Sequence, residues 1–136
     1  MKKLVLICFA FIALTGCEKF IEKKAEDAIM KAMTDGEWKV THFDTDGTDI
    51  TSDFSTYKFK YHKDYTVDAI NNGTVERTGD WEGDASNMNI TAEFQSPTHP
   101  ISLINGTWHI TDNSWTYVVA TMTVGSEVRN LRLDKL

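Results

Sequence analysis

The chain has 136 residues, of which 41% are hydrophobic and 25% are charged. This length and composition are typical of a single folded domain and argue against a disordered chain, a collagen-like repeat or a protein with several membrane spans. The formal net charge is −6, and because an acidic surface repels phosphate, we expect no nucleic-acid partner. Two cysteines and four histidines offer few soft metal ligands, so we predict no metal site and no cofactor.

The first sixteen residues have the organisation of a secretory signal peptide. Lys2 and Lys3 are followed by an apolar run of 11 residues from Leu4 to Leu14, too short for the ~20 residues of a membrane-spanning helix. The next segment, Leu14-Thr15-Gly16-Cys17, resembles the lipobox of bacterial lipoproteins, in which the cysteine receives a diacylglycerol before cleavage in front of it. Cys17 is therefore the predicted lipidation site. The alternative is an ordinary secretory signal in which Cys17 has no role.

The lipobox resemblance implies a protein held at the membrane by its N-terminal lipid, without a transmembrane helix. Each buried methylene of an acyl chain contributes about 0.8 kcal/mol to such an anchor. Residues 1–16 are then removed, and the formal charge changes from −6 to −8 because Lys2 and Lys3 are lost. Glu18 occupies the position where some lipoproteins carry an aspartate for inner-membrane retention. The resemblance therefore implies the bacterial outer membrane, on either its periplasmic or its surface face.

Residues 17–34 are predicted to hold the lipidated cysteine and one amphipathic helix. Apolar side chains recur at helical spacing through Glu18–Met33, with lysine and glutamate between them. Asp35-Gly36 is expected to end this helix, because glycine tolerates the left-handed backbone that follows a helix. The mixed charges favour packing on the folded domain over a position on the membrane surface.

From Glu37 onward the spacing of apolar residues changes from helical to alternating, which predicts strands separated by polar or glycine-containing turns. The Asn105-Gly106 dipeptide is a hairpin signal that would split one of them, and we favour a single long strand with a kink or bulge at the glycine. Eight strands are predicted, at Glu37–Phe43, Phe54–Tyr61, Tyr65–Ile70, Thr74–Trp81, Asn87–Phe94, Ile101–Ile110, Ser114–Val124 and Glu127–Asp134.

Short connections between successive strands give an antiparallel meander, and closing it into a barrel removes its exposed edges. Residues 35–136 resemble the lipocalin-like domain of small bacterial lipoproteins. The motifs that carry the resemblance are Gly36-Glu37-Trp38 at the start of the first strand, Gly79-Asp80-Trp81, Gly106-Thr107-Trp108, Tyr57-x-Phe59 before Tyr65-x-Val67, and Leu131-Arg132-Leu133-Asp134-Lys135. The implied fold is all-β: an eight-stranded antiparallel up-and-down β-barrel preceded by a short N-terminal α-helix.

Alternating strand directions place both termini at one end of this barrel, here called the lower end. Indoles bury a large apolar area, so we predict a barrel base made of Gly36 and the four tryptophans, Trp38, Trp81, Trp108 and Trp115. In lipocalins an arginine from near the C-terminus packs over the first-strand tryptophan. The resemblance assigns this role to Arg132, with Arg129 as the alternative.

The opposite, upper end is the predicted mouth. In the family, the first upper loop, here Asp44–Asp53, is a lid over a cavity for small apolar molecules. If the Arg77 guanidinium faces this cavity, it would suit a carboxylate ligand. The alternative is that Arg77 points outward and pairs with Glu76 or Glu93. An eight-stranded barrel is only just wide enough for its own side chains, so the alternative is an interior filled by side chains, with no cavity. The implied ligand contacts are the inward-facing side chains of His42, Tyr57, Phe59, Tyr65, Arg77, Ile90, Phe94 and Tyr117.

No motif pairs a nucleophile with a base, and the acidic run in Asp44–Asp53 lacks the glycine and glutamate spacing of a calcium loop. We therefore expect a lipid-anchored, non-catalytic envelope protein whose partners are the membrane and a small hydrophobic or amphipathic molecule. The alternative is a protein-interaction or inhibitor module built on a solid barrel.

Overall fold

The computed structural model describes residues 23–136; the predicted signal peptide, Cys17 and the start of the predicted helix lie outside this range. Within it, no helix is long and apolar enough to cross a membrane. The helix α1 spans residues 23–34. The strands are β1 (Trp38–Thr45), β2 (Thr48–Asp49), β3 (Tyr57–Tyr61), β4 (Thr66–Asn71), β5 (Thr74–Asp84), β6 (Asn89–Phe94), β7 (Gly106–Asn113), β8 (Tyr117–Val124) and β9 (Glu127–Lys135).

Eight of these strands form a closed, up-and-down antiparallel barrel. Each strand from β4 to β9 pairs with its predecessor, β3 pairs with β1, and β1 closes the barrel against β9. The two residues of β2 only extend β1 as a short hairpin. The predicted eight-stranded barrel preceded by a short helix is confirmed.

The end of α1 is tied directly to the start of the barrel. Gly36 has a φ of +80°, in the left-handed region that glycine adopts at no steric cost. Two residues later, Trp38 Nε1 donates to the carbonyl oxygen of Met33 at 2.9 Å. Because Met33 is buried and Ile29 packs against the core, α1 lies across the lower end of the barrel.

A bulge in β1 decides which of its side chains face the interior. The pairing with β9 shifts register between Val40 and His42, so the buried residue after Val40 is Phe43, and His42 points outward. The prediction that His42 faces the interior is wrong because a bulge inserts one extra residue and reverses the alternation.

In β8 the buried side chains are those of Val118, Ala120 and Met122. Tyr117 therefore faces outward, and its predicted inward position is wrong. Apolar residues follow one another without a break at the start of this strand, so the sequence there does not define which face is buried.

Two single 3₁₀ turns replace the first parts of two predicted strands. Thr51–Phe54 forms one of them, and β3 begins only at Tyr57. Ile101–Leu103 forms the other. The strand β7 starts at Gly106, so the predicted long strand through Asn105-Gly106 is wrong, as is the kink or bulge within it. Short apolar runs such as Ile101–Leu103 do not by themselves distinguish a strand from a buried turn of helix.

The later start of β7 also moves Trp108 to the upper half of the barrel, so its predicted place at the base is wrong. There its ring meets that of Phe43 edge-on at 5.8 Å between centroids, and Phe43 stacks on Phe54 at 5.0 Å. Lower down, Tyr61 and Trp81 make another edge-on pair. All of these rings belong to one continuous apolar core that runs from the upper end to α1.

Candidate ligand-binding cleft

The upper end of the barrel, where the mouth is predicted, is closed. Phe54 and Ile101, one from each 3₁₀ turn, have no exposed surface, and Ile104 is buried beside them. Trp108 Nε1 donates to the Ile104 carbonyl oxygen at 2.8 Å and holds the second turn in place. The two turns thus form an apolar plug where the family resemblance implied a lid over an open cavity.

Polar contacts fix the loop Asp44–Asp53 over this plug. Asp44 accepts a hydrogen bond from Asn130 Nδ2 at 3.0 Å, and this bond, together with one to His42, lowers the pKa of the Asp44 carboxyl. At the end of the loop, Asp53 contacts His99 Nε2 at 2.7 Å. The acidic side chains therefore brace the loop against its neighbours.

Four of the predicted ligand contacts, Tyr57, Phe59, Ile90 and Phe94, are buried in the filled core. Phe59 and Phe94 pack edge-to-face with centroids 6.4 Å apart. Near the upper rim, the Tyr57 hydroxyl donates to Glu76 Oε2 at 2.7 Å. Burial and this hydrogen bond raise the pKa of Tyr57 to about 12. These side chains fill the space that a ligand in the interior would need.

Arg77 and Tyr65 lie far apart. Arg77 is half-buried at the upper rim, where Nη1 donates to the Gln95 carbonyl oxygen at 3.3 Å. Arg77 is in phase with the buried Gly79 and Trp81, whereas the pairing of β4 with β5 skips Glu76 and leaves Val75 on the outer face. Tyr65 is 56% exposed at the lower end, so its predicted place in the interior is wrong.

The barrel base is built differently from the prediction. Trp38 and Trp81 are buried there, whereas Trp115 lies in the turn before β8 and is 56% exposed. Arg132 lies outside the barrel, with its guanidinium carbon 4.6 Å from the centre of the Tyr117 ring. The cation over Trp38 belongs to Lys135, whose Nζ is 5.1 Å from the ring centre. The assignment of this role to Arg132 or Arg129 is therefore wrong.

An open cleft of about 350 Å³ lies between one flank of α1 and the lower end of the barrel. Alanines at three helical positions line its helix side, and their short side chains leave the space unfilled. We call this space the helix–barrel cleft. Its lining residues are Ala25, Ala28, Ile29, Ala32, Met33, Ala85, Met88, Ile90, Ile110, Asn113, Ser114, Trp115 and Val118.

None of these lining side chains carries a charge, and Asn113 and Ser114 supply the polar groups. Pockets for small molecules have volumes of roughly 300–1,000 Å³ and are lined mainly by apolar side chains with a few polar groups. The cleft therefore has the size and chemistry for a small apolar or amphipathic molecule. The sequence signal that could have located it is the repeat of alanine at positions 25, 28 and 32 on one helix face.

A second cavity, of about 570 Å³, lies on the other flank of α1. Carboxylates from α1 and β5 surround it, with the rings of Tyr65 and Trp81 on one side. The helix touches the barrel between the two cavities, where a Cβ added at Gly83 would lie only 2.8 Å from Ile29 Cγ2. Within residues 23–136, no three histidine, cysteine, aspartate or glutamate side chains are grouped to hold a metal ion.

Solved structures with the same architecture include a lipocalin-like protein from Bacteroides uniformis ATCC 8492. The TM-score is 0.56 at 13% sequence identity, over 77% of this chain and 99% of that one. The fold is lipocalin-like. A DUF4847 family protein from Bacteroides vulgatus ATCC 8482 is also similar to this lipocalin-like barrel, with a TM-score of 0.54 at 10% identity over 78% and 96% of the two chains. Neither the protein-family models nor the curated proteins give a match to the sequence.

Proposed function

We propose that this lipocalin-like protein is a non-catalytic, lipid-anchored protein of the bacterial outer membrane that binds a small hydrophobic or amphipathic molecule. The binding site is the helix–barrel cleft, because the barrel interior is filled. The observation that carries this proposal is the 350 Å³ volume of the cleft with its uncharged lining. The anchor is Cys17, proposed from the lipobox-like sequence that precedes it.

The apolar lining limits the affinity to be expected. A chain of ten methylenes contributes roughly 8 kcal/mol when it is fully buried, and association itself costs about 4–15 kcal/mol in lost freedom of motion. An open cleft buries only part of such a chain. We therefore expect weak binding, which suits reversible uptake and release.

The test is native mass spectrometry of the soluble fragment 18–136 after exposure to an envelope lipid extract. We expect a retained adduct, and we expect it to be lost in Ala28→Leu, which fills the cleft from the helix side. Lys31→Leu is the matched control, because it adds an apolar side chain at an exposed position of α1 that does not line the cleft. Absence of any adduct, or an adduct that survives Ala28→Leu, would reject the cleft as the site.

The anchor is tested separately with the full chain. Replacing Cys17 by serine should abolish the incorporation of labelled palmitate into the protein, since the lipid would have no attachment point. Unchanged labelling of the Cys17→Ser chain would argue against lipidation at this residue and leave the cleft proposal standing.

The filled interior favours a second candidate, a protein-interaction or inhibitor module on a solid barrel. Side chains occupy the core from the plug to α1, so the barrel can serve as a rigid support for its loops. A fragment that retains no adduct and shows no rise in melting temperature with the lipid extract would favour this candidate over the ligand-binding protein.

A further inference from the structure

We propose that the lower end of the barrel sits on the bilayer surface, so that the helix–barrel cleft opens toward membrane lipid. This inference rests on the lipid anchor of the proposed function. It adds the orientation of the domain and the source of its ligand, a lipid or amphiphile that partitions into the membrane.

The exposed apolar side chains differ between the two ends of the barrel. Those at the upper end are aliphatic, namely Val75, Val124 and Val128. Those at the lower end include two aromatic rings: the exposed large apolar residues there are Tyr65, Met88, Trp115 and Leu136. Each lower-end residue lies in a turn between strands or at the C-terminus, on the side of the barrel that α1 covers.

The lower-end residues lie on both flanks of α1. Tyr65 borders the acidic cavity, and Met88 and Trp115 border the helix–barrel cleft. Tryptophan and tyrosine favour the membrane–water interface because their rings are apolar at one edge and form hydrogen bonds at the other. Aromatic side chains on both sides of the helix can therefore contact an interface together.

The length of the tether favours the same orientation. Five residues separate Cys17 from residue 23, where the described part of α1 begins, and six steps of ~3.3–3.6 Å span at most about 22 Å. The eight residues of β1, at about 3.3 Å per residue, are about 26 Å long. An anchor on Cys17 thus holds the lower end close to the lipid and leaves the upper end farther away.

The lower end carries charges of both signs. Carboxylates of Glu26, Asp27, Asp80 and Glu82 surround the acidic cavity, and Lys23, Lys31 and Lys63 are exposed on α1 and in the β3–β4 turn. A zwitterionic bilayer repels neither set of charges, and the aromatic rings can contact it.

The experiment couples the fragment 17–136, which contains the whole described barrel and α1, to vesicles through its one cysteine, Cys17. The attachment is a maleimide lipid in phosphatidylcholine with brominated acyl chains, which quench nearby indoles. Trp38, Trp81 and Trp108 are at most 3% exposed, so Trp115 is the accessible reporter. We expect bromine to quench a fraction of the wild-type emission that Trp115→Phe lacks.

A reporter at the upper end completes the comparison. Val75 is 51% exposed in the β4–β5 hairpin, and Val75→Trp in the Trp115→Phe background should show no added quenching. Equal quenching at both positions, or none at Trp115, would overturn the orientation. Because the attachment is chemical, the result does not depend on lipidation in the cell, and ligand binding is measured separately on the fragment in solution.

Discussion

The two ends of this barrel are closed in different ways. At the upper end, two turns insert Phe54 and Ile101 directly into the core, and neither side chain has exposed surface. At the lower end, a separate helix lies across the opening and leaves a cavity on each flank. Side chains inserted from short loops can fill a round opening, whereas a straight helix covers its middle only. The way each end is closed therefore determines where a ligand could bind.

This difference changes what the family resemblance implies for this chain. The resemblance places ligands under the first upper loop, where the plug now stands. The open space that could hold a ligand lies at the opposite end, beside α1. The lipocalin-like fold thus determines the barrel, whereas the two 3₁₀ turns and α1 determine which end keeps an open space.

The largest expected effect comes from removing the upper plug. Phe54→Ala deletes a fully buried ring that stacks on Phe43, so we expect a loss of about 3–5 kcal/mol in the free energy of unfolding. Urea denaturation measures it. Ile50→Ala, in the same loop but only partly buried, should cost clearly less. Similar small losses in both variants would show that the upper end is loosely packed and would remove the contrast with the lower end.

Much of the barrel was predictable because alternation and turn residues report local backbone geometry. Tyr57, Phe59 and Tyr61 alternate with lysines, and all three are buried as this pattern indicates. Gly36 marks the end of α1 for a comparable local reason. Strand order then follows from short connections, which leave a meander as the simplest topology.

The candidate site was not predictable to the same extent. His42 and Tyr117 turn outward because of a bulge and an ambiguous apolar run, and neither has a strong local signal. The Ile101–Leu103 segment looks like a strand, and its burial as a turn depends on contacts with residues distant in sequence. The helix–barrel cleft is a property of two packed elements, so alanine spacing alone predicts a packed helix face equally well.

A smaller effect is expected at the contact of α1 with the barrel. Gly83→Ala places a methyl group 2.8 Å from Ile29 Cγ2. Because χ1 of a helical isoleucine is stiff, α1 must shift, and we expect a loss of about 1–3 kcal/mol. Ile29→Ala removes the atom that clashes. The double variant should therefore be more stable than the sum of the single losses indicates, and amide exchange should show α1 less protected in Gly83→Ala alone. Additive losses would mean that this contact does not position the helix.

The smallest expected effect is on the pH dependence of the free energy of unfolding. It is tested at one carboxylate from each half of the barrel. Asp44, near the upper end, has a lowered pKa because of hydrogen bonds from Asn130 and His42. In the lower half, burial alone would raise the pKa of Asp68, but hydrogen bonds with Thr78 and His62 outweigh it and lower the pKa. Both carboxylates thus bind protons less readily in the folded protein than in the unfolded chain.

The sign of the effect follows from linkage. A lowered pKa in the folded state stabilises the protein above the unfolded value, about 3.9 for aspartate, and this stabilisation disappears as the pH falls through the folded value. Asp44→Asn and Asp68→Asn should each lose less stability than the wild type on going from pH 6 to pH 3, by ~1 kcal/mol or less. Urea midpoints at the two pH values measure this. Thr78→Val should reproduce part of the Asp68→Asn result, because it removes the donor at 2.6 Å and leaves the contact with His62. If only Asp44→Asn reduces the loss of stability at pH 3, the acid sensitivity comes from the upper loop, and the carboxylate of Asp68 in the lower half does not contribute to it.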